Sequence, residues 1–240
     1  MALSVVMPVY NEEDSIEAVV GEWTEELNAL KVPYEFCIYD DGSKDSTPKK
    51  LESLCARHPA VRIIKKENEG HGPTILRGYR EAEGRWILQI DSDGEIRACH
   101  FGEIWDEREK YDIILGVRQG RRSSVVRRII TGAARLTVRL LFGKALRDVN
   151  TPYRLMRREA LRKLLPRVPA RTMAPNVALS GLAARRGLRI CEFTVPHEGR
   201  RGGRPSLLGL KVWEVALRSF GETLRIAAGT GKQRRRDRTP

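Results

Sequence analysis

The sequence predicts an α/β fold built on a Rossmann-like, mostly parallel sheet with flanking helices. In the first half of the chain, short apolar runs rich in Val and Ile alternate with segments of helical periodicity. Helical segments of about 10–15 residues between strands are typical of βαβ units, whose right-handed crossovers make the strands parallel. Polar residues follow several of these strands, at the sheet edge where such folds bind their ligands.

The elements follow in order along the chain. We expect strands at 3–9, 36–39, 61–65, 86–90 and 112–117, and helices at 14–30, 46–57, 74–83 and 101–110. The second half is less regular, with helical patterns at 123–142, 176–186 and 207–227 and strand patterns at 153–156 and 190–195. Residues 229–240 contain no apolar side chain, which predicts a disordered basic tail.

Charge divides the chain into two unlike halves. Residues 1–112 contain 14 Lys/Arg and 24 Asp/Glu, whereas residues 113–240 contain 30 and 7. A basic half of this kind is typical of proteins that meet nucleic acid, an anionic membrane surface or phosphorylated substrates. Charge alone does not choose among these partners.

Composition excludes several classes of protein. Hydrophobic residues make up 41% of the chain, enough to bury a core, so wholesale disorder is excluded. The four cysteines lie far apart without a C-x-x-C pair, so neither a zinc site nor a disulfide framework is indicated. No apolar run approaches the ~18 residues of a membrane span, and no signal sequence is evident, so a cytoplasmic location is expected.

Acidic or amide side chains follow each of the first four predicted strands. They are Asn11-Glu12, Asp40-Asp41, Glu67-Asn68 and the pair Asp91 and Asp93. Asp and Asn are also ordinary turn and cap residues, so any one cluster has a local explanation. Four in succession predict a single polar crevice along the carboxyl ends of the strands.

Asp91 and Asp93 form the strongest candidate for a metal site. Two carboxylates directly beyond a buried strand repel each other unless a cation compensates them. Mg²⁺ is typically held by one or two carboxylates, and substrate phosphates complete its shell. We therefore expect Mg²⁺ or Mn²⁺ here, where it would neutralise a diphosphate leaving group.

Other nucleotide-site motifs are missing from the sequence. There is no G-x-G-x-x-G after the first strand, no G-x-x-x-x-G-K-[ST] and no G-x-S-x-G. The sequence therefore argues against a dinucleotide-dependent oxidoreductase, a P-loop enzyme and an α/β-hydrolase.

Six segments, taken in order, resemble the motifs of family-2 glycosyltransferases of GT-A fold, particularly polyprenyl-phosphate sugar synthases of dolichyl-phosphate mannose synthase type. They are residues 5–12, 40–47, 68–78, 91–93, 116–118 and 148–158. The resemblance covers residues 3–210 and implies one domain over 1–228. Within it, 1–118 would bind the nucleotide-sugar and 119–228 would face the acceptor and the membrane. The implied reaction is inverting transfer from a GDP- or UDP-sugar to a polyprenyl (dolichyl-type) phosphate.

The resemblance also implies roles for individual residues. Contacts to the nucleotide-sugar are implied for Pro8, Tyr10, Glu12, Asp40, Asp41, Gly72, Asp91 and Ser92. Metal ligands would be Asp91, Asp93 and Glu95, and the catalytic set would be Asp93, Arg118, Arg200 and Arg201. The acceptor phosphate would meet Arg118, Arg128, Arg135, Asp148, Arg154 and Ser206. Relatives usually carry Gln where this chain has Glu95, which puts the choice of metal or donor in doubt.

A basic stripe runs along the predicted helix over 123–142. Arg121, Arg128, Arg135 and Arg139 fall within about 40° of one another on a helix, opposite an apolar arc of Val126, Ile130, Ala133, Leu140 and Leu141. Such a helix suits an anionic membrane surface, although an ordinary surface helix shows the same pattern. A lipid-phosphate acceptor favours the membrane, so we expect peripheral association with its cytoplasmic face. Residues 207–227 form a second candidate.

Three other functions are compatible with parts of the pattern. A glycosyltransferase acting on a soluble or polysaccharide hydroxyl would share the same donor site. A sugar-nucleotidyltransferase would need a Gly-rich basic loop where Tyr10-Asn11-Glu12-Glu13 stands. A nucleic-acid-binding protein would interleave aromatic and basic residues, but residues 113–150 contain only Phe142, so no nucleic-acid partner is expected.

Overall fold

The computed structural model describes residues 1–120, 125–143, 146–199 and 210–236. The strands are β1 (Leu3–Val9), β2 (Tyr34–Asp40), β3 (Val61–Lys65), β4 (Trp86–Gln89), β5 (Ile113–Gln119), β6 (Arg154–Arg157) and β7 (Ile190–Pro196). The α-helices are α1 (Ile16–Ala29), α2 (Thr47–Arg57), α3 (His71–Glu81), α4 (Phe101–Glu107), α5 (Val125–Phe142), α6 (Arg158–Leu164), α7 (Pro175–Arg185) and α8 (Leu210–Arg236). They build one seven-stranded, mostly parallel sheet with flanking helices, which confirms the predicted α/β fold.

The first four strands are parallel, as the alternating pattern predicts. The sheet order is β3-β2-β1-β4-β6-β5-β7, so β1 lies between β2 and β4 and is parallel to both. Every residue of β1 is buried, which is expected of a parallel strand covered on both faces. The chain leaves β1 towards β2 and β3 on one side and returns to β4 on the other. This reversal opens a crevice at the carboxyl ends of β1 and β4.

An antiparallel strand interrupts the second half of the sheet. The strand β6 lies between β4 and β5 and is antiparallel to both, whereas β5 and β7 are parallel. The predicted strand 112–117, which is β5, therefore does not lie directly beside β4. Pairing of distant segments is not visible in local periodicity, because β6 follows β5 by a long excursion through α5.

Helical layers cover the two faces of the sheet. On one face, α1 contributes Trp23 and Leu27 to a core shared with α2 and α4. On the other face, α3, α6, α7 and parts of α5 and α8 enclose a second core that includes Tyr79 and Phe142. Successive side chains of β4 point to opposite faces of the sheet, so Trp86 and Leu88 pack into the first core and Ile87 into the second.

Helix α8 runs through most of the segment expected to be a disordered tail. It extends to Arg236, so residues 229–236 are helical, and residues 237–240 lie outside the described part of the chain. Gln, Lys and Arg are good helix formers, so the absence of apolar residues does not end a helix already begun. Among helices of the described residues, none combines the length and apolar character needed to cross a bilayer.

The faces of α5 differ from those expected. Val138 and Phe142 pack into the core, whereas Ile129, Leu136 and Leu140 are 54%, 55% and 73% exposed. The arc predicted to be apolar is therefore split, because Leu140 faces outward while Leu141 packs partly against the core. A helix that packs on a sheet buries only one face. The apolar residues of α5 outside that face are therefore exposed, as its arginines are.

Candidate functional site

The site lies at the carboxyl edge of the sheet, where the loop after β4 begins. Asp91, Asp93 and Glu95 line one hollow, together with Ile90, Ile96, Pro152 and Tyr153. The last two residues come from the segment that enters β6. The insertion of an antiparallel strand therefore supplies one wall of the hollow, and the acidic loop supplies the other.

The two aspartates are presented differently. Asp91 has a side chain 28% exposed, and its Oδ1 lies 3.7 Å from Nε2 of His71 at the start of α3. The same oxygen accepts a 3.3 Å hydrogen bond from Nε2 of Gln89. Asp93 Oδ1 accepts from the backbone N–H of Glu95 at 3.1 Å across Gly94, whose φ of 70° closes the turn. Each carboxylate is thus held from within the protein and faces the hollow.

Glu95 is joined to His197, a residue that the sequence pattern did not reveal. Oε2 of Glu95 lies 2.9 Å from Nε2 of His197, and the backbone N–H of Glu198 donates to the Glu95 carbonyl at 3.1 Å. His197 directly follows β7, which pairs in parallel with β5, so its position at the same sheet edge follows from the topology. The available signal was a histidine two residues beyond the predicted strand 190–195.

The carboxylates fit an open divalent-cation site. In the described ranges, no three His, Cys, Asp or Glu side chains are grouped as a preformed metal cage. Asp91 and Asp93 at one hollow nevertheless supply the one or two carboxylates with which proteins usually hold Mg²⁺, and substrate phosphates supply the remaining ligands. The donor set is hard oxygen, which also suits Mn²⁺.

The loops after β1 and β2 are interlocked beside this hollow. Asn11, with a φ of 52°, accepts from the Lys44 N–H at 2.8 Å and donates its own N–H to Ser43 Oγ at 3.0 Å. Asp40 accepts from the Ser43 N–H at 2.9 Å. These bonds fix the carboxyl ends of β1 and β2 relative to each other. The predicted nucleotide residues Pro8 and Tyr10 lie on this edge; Pro8 is buried within β1 and Tyr10 is partly exposed just beyond it.

Several predicted nucleotide contacts have structural partners instead. Glu12 is buried, and its Oε2 accepts from the Ser15 hydroxyl at 3.0 Å at the start of α1. Ser92 is also buried, and its carbonyl accepts from the same hydroxyl at 3.0 Å. Ser15 therefore ties the loop after β1 to the loop after β4, and this bridge keeps the two sides of the crevice in register.

Asp41 is a clamp for the loop after β3. It forms a buried ion pair with Lys66, and its two oxygens accept from the backbone N–H groups of Glu69 and Gly70, each at 2.9 Å. With both oxygens occupied and the residue buried, Asp41 orders the approach to α3. Neither this burial nor these partners were readable from the Asp-Asp pair, and the expected contact of Asp41 with the nucleotide stays a prediction.

Gly72 is likewise explained by packing. A Cβ at this position would lie 2.3 Å from the carbonyl oxygen of Thr172 and 2.5 Å from that of Met173. The residue must be glycine for α3 to approach the segment before α7 this closely.

Arg118 and Asp148 form a two-point ion pair at the carboxyl end of β5. Nε and Nη2 of Arg118 donate to Oδ2 and Oδ1 of Asp148 at 2.8 and 3.1 Å. Burial alone would lower the pKa of Arg118, but the bonds to Asp148 and the charges of Asp91 and Glu95 raise it. The guanidinium thus stays charged beside the acidic hollow, with two of its nitrogens engaged by Asp148.

Arg154 lies in the interior of the protein. Only 1% of the residue is exposed, and its guanidinium donates to the backbone carbonyls of Thr151, Val149 and Asn176 at 3.0, 3.3 and 3.4 Å. Burial lowers the pKa of Arg154 from its ordinary value. This arginine ties the loop before β6 to α7, and its expected contact with an acceptor phosphate stays a prediction.

The remaining predicted residues are distributed between the surface and undescribed segments. Arg135 is exposed on α5 and is not among the residues that line the acidic hollow. Arg128 lies within α5, but its side chain falls outside the described residues, as do Arg200, Arg201 and Ser206. The roles implied for these four residues stay predictions.

Comparison with known proteins defines the family. Residues 4–165 match the model of glycosyl transferase family 2. The chain is 31% identical over 215 residues to a dolichyl-phosphate beta-glucosyltransferase of Dictyostelium discoideum, covering 80% of this chain and 65% of that relative. It is 30% identical over 210 residues to an undecaprenyl-phosphate 4-deoxy-4-formamido-L-arabinose transferase of Yersinia pestis (strain Pestoides F), covering 84% and 61%. It therefore spans less than two thirds of the length of these relatives.

Solved structures show the same architecture. Glucosyl-3-phosphoglycerate synthase from Mycobacterium tuberculosis, in complex with Mn²⁺, uridine diphosphate and phosphoglyceric acid, superposes with a TM-score of 0.72 at 19% identity, over 94% of this chain and 78% of that one. The same synthase with phosphoglyceric acid gives a TM-score of 0.72 at 20% identity, over 95% and 80%. The chain belongs to glycosyl transferase family 2 and has the GT-A fold, as its motifs predicted.

Proposed function

We propose that this chain transfers a sugar, with inversion, from a GDP- or UDP-sugar to a polyprenyl phosphate. The carrying observation is the pair Asp91 and Asp93 at one open hollow, at the strand edge of a family-2 domain. The relatives named above are a dolichyl-phosphate and an undecaprenyl-phosphate transferase, which supports a lipid-phosphate acceptor. The solved structure with Mn²⁺ and uridine diphosphate supports a nucleotide donor and a divalent metal.

The donor half of the reaction follows from the edge of the sheet. We assign the nucleoside to the loops after β1 and β2, with Tyr10 and Asp40 as its neighbours, and the diphosphate to Asp91 and Asp93. A divalent cation held by these carboxylates would supply positive charge to the leaving diphosphate. The interlocked loops need no reorganisation to present these groups, and such preorganisation favours the charge-separating transition state.

The acceptor half needs no general base. A phosphate monoester is already ionised at neutral pH, so the nucleophile exists before it meets the enzyme, whereas an alcohol would have to lose a proton. Asp148 is the candidate carboxylate for accepting that proton, but Arg118 engages both of its oxygens. We assign Arg118 to the acceptor phosphate, with Asp148 as the carboxylate that holds its guanidinium in place.

We also propose that α5 and α8 dock the protein on an anionic membrane surface. Seven large hydrophobic residues are exposed in the described residues, and six of them lie on these two helices: Ile129, Leu136, Leu140, Leu217, Phe220 and Leu224. The helices pack against each other, and exposed Arg135, Arg139, Arg218 and Arg225 lie among these apolar side chains. Apolar residues ringed by arginines match a lipid interface with anionic headgroups.

The transferase proposal is tested with a panel of radiolabelled GDP- and UDP-sugars, Mn²⁺ or Mg²⁺, and polyprenyl phosphate. The expected result is label in the lipid fraction, dependent on the metal and lost in Asp93→Asn. Polyprenol without the phosphate is the matched acceptor control and should receive no label. Label found only on soluble sugars or on polyprenol would overturn the lipid-phosphate acceptor and favour the hydroxyl-acceptor alternative.

A further inference from the structure

Gln89 is a carboxamide buried in an otherwise apolar strand. It is the last residue of β4 and has no exposed surface, and the other members of the strand are Trp86, Ile87 and Leu88. Burying an amide without hydrogen bonds is unfavourable, because the amide loses its bonds to water. A leucine would fit the core without that cost, so the partners of the amide indicate what it does.

Two neighbours direct hydrogens at the oxygen of Gln89. The hydroxyl of Tyr79, from α3, donates to Oε1 at 2.8 Å, and Nδ2 of Asn176, from α7, donates to the same atom at 2.8 Å. The Tyr79 hydroxyl also lies 3.0 Å from Oδ1 of Asn176, which closes a triangle of three buried side chains. Burial raises the pKa of Tyr79, so the phenol keeps its proton and remains a donor.

The triangle fixes which end of the amide faces the site. Rotating the Gln89 amide by half a turn would set its NH₂ against the NH₂ of Asn176 and its oxygen against the Asp91 carboxylate, and both pairings are unfavourable. With Oε1 so committed, Nε2 must face the other way, where it donates to Asp91 Oδ1 at 3.3 Å. A chain of hydrogen bonds thus runs from the helix layer through the sheet to one carboxylate of the acidic hollow.

We infer that Gln89, oriented by Tyr79 and Asn176, is a positioning residue that sets the Asp91 carboxylate for the metal and the donor diphosphate. The inference rests on the proposed function, because it concerns how that site is prepared. A hydrogen bond at one oxygen restrains the rotation of the Asp91 carboxylate and so favours one orientation towards the hollow. Partners of this kind behind a metal ligand typically change metal affinity or activity about 10–100-fold when removed.

The test measures Mn²⁺ affinity directly, by electron paramagnetic resonance of free Mn²⁺, on the full chain with saturating uridine or guanosine diphosphate. Gln89→Leu keeps the volume and removes the amide, and we expect about 10-fold weaker Mn²⁺ binding. Tyr79→Phe removes one bond to Oε1 and should weaken binding by a smaller factor. Tyr39→Phe is the matched control: it also removes a hydroxyl from a buried tyrosine, one that contacts Glu81 instead, and should leave Mn²⁺ affinity unchanged.

A double-mutant cycle separates positioning from general damage to the fold. In an Asp91→Ala background, Gln89→Leu should change the residual Mn²⁺ affinity by less than 2-fold, since the carboxylate that Gln89 positions is gone. Equal weakening in both backgrounds, or wild-type affinity in Gln89→Leu, would overturn the positioning role. If the wild-type chain binds neither nucleotide in the presence of Mn²⁺, the result contradicts the proposed function itself and is not specific to Gln89. In that case the same double-mutant cycle is measured with Mn²⁺ alone, without nucleotide. If Gln89→Leu then weakens Mn²⁺ binding equally with and without the Asp91 carboxylate, the inference is also overturned.

Discussion

Arg118 and Asp148 are joined by two hydrogen bonds of 2.8 and 3.1 Å, with both side chains only 8% exposed. The pair lies where β5 ends, close enough to Asp91 and Glu95 for their charges to stabilise the guanidinium. An ion pair this buried is strongly coupled to the fold, because neither charge can return to water when the other is removed.

Removing one member of this pair should destabilise the protein. We predict that Arg118→Met and Asp148→Leu each lower the free energy of unfolding by about 3–5 kcal/mol, the usual cost of an orphaned buried charge. The double variant should lose far less than the sum of the two. Denaturant unfolding of all four proteins measures the coupling. Additive losses, or single losses below about 1 kcal/mol as for surface pairs, would contradict the buried pairing.

Glycine at position 72 is required by a backbone approach. Gly72→Ala would place Cβ 2.3 Å from the Thr172 carbonyl oxygen, and we predict a loss of about 1–3 kcal/mol as α3 is pushed from the segment before α7. Gly132→Ala is the matched control, because that helical glycine has nothing within 4 Å of the added carbon. It should stabilise α5 by up to about 1 kcal/mol. A thermal-unfolding series that ranks the two variants the other way would refute this packing.

Glu35 should make the fold sensitive to acid. Burial would raise its pKa, but bonds from Ser4 and the Glu83 N–H and the charge of Arg62 lower it overall. The stabilisation is therefore present above the unfolded pKa, about 4.3, and is lost as pH falls through the lower folded value. Unfolding free energies measured from pH 6 to pH 3 should fall less steeply in Glu35→Gln. The exposed Glu103→Gln variant should follow the wild-type curve, and parallel curves for all three would count against the assignment.

The exposed apolar residues of α5 and α8 should bind membranes. Leu140→Asp with Leu217→Asp removes two side chains worth about 1.5 kcal/mol each in an apolar contact, so binding to vesicles containing anionic phospholipid should fall more than about 10-fold. Ser53→Asp with Ala56→Asp on α2 adds the same charge at two exposed helix positions and should bind as the wild type does. Cosedimentation measures both. Equal binding of all three proteins would exclude these helices as the docking surface.

Sequence patterns were sufficient for the first half of the fold and for the main acidic motif. Strands β1 to β4 show their period locally, and Asp91 and Asp93 directly follow the last of them. The insertion of β6 between β4 and β5 was not predictable, because nothing local specifies a pairing between distant segments. That pairing places Arg154, the first residue of β6, in the interior. The resemblance had implied a contact between this arginine and the acceptor phosphate.

Hydrogen-bond partners likewise distinguish neighbouring residues that look alike in sequence and are equally buried. Asp40 and Asp41 are adjacent carboxylates, yet Asp41 spends both oxygens on the loop after β3. His197 and Gln89 were not predicted as site residues. Each lies in a strand or directly after one, and the sequence does not show which strands are its neighbours. Their contacts with Glu95 and Asp91 exist only once the sheet is assembled.

The central claim is that the carboxyl edge beside β4 holds a nucleotide through a divalent cation on Asp91 and Asp93. Calorimetric titration of uridine and guanosine diphosphate, with and without Mn²⁺, tests it most directly. We predict that one of the two nucleotides binds the wild-type chain only when Mn²⁺ is present, and that Asp93→Asn abolishes this metal-dependent binding while unfolding at the wild-type temperature. Nucleotide binding of equal strength without metal, or binding unchanged in Asp93→Asn, would contradict the account.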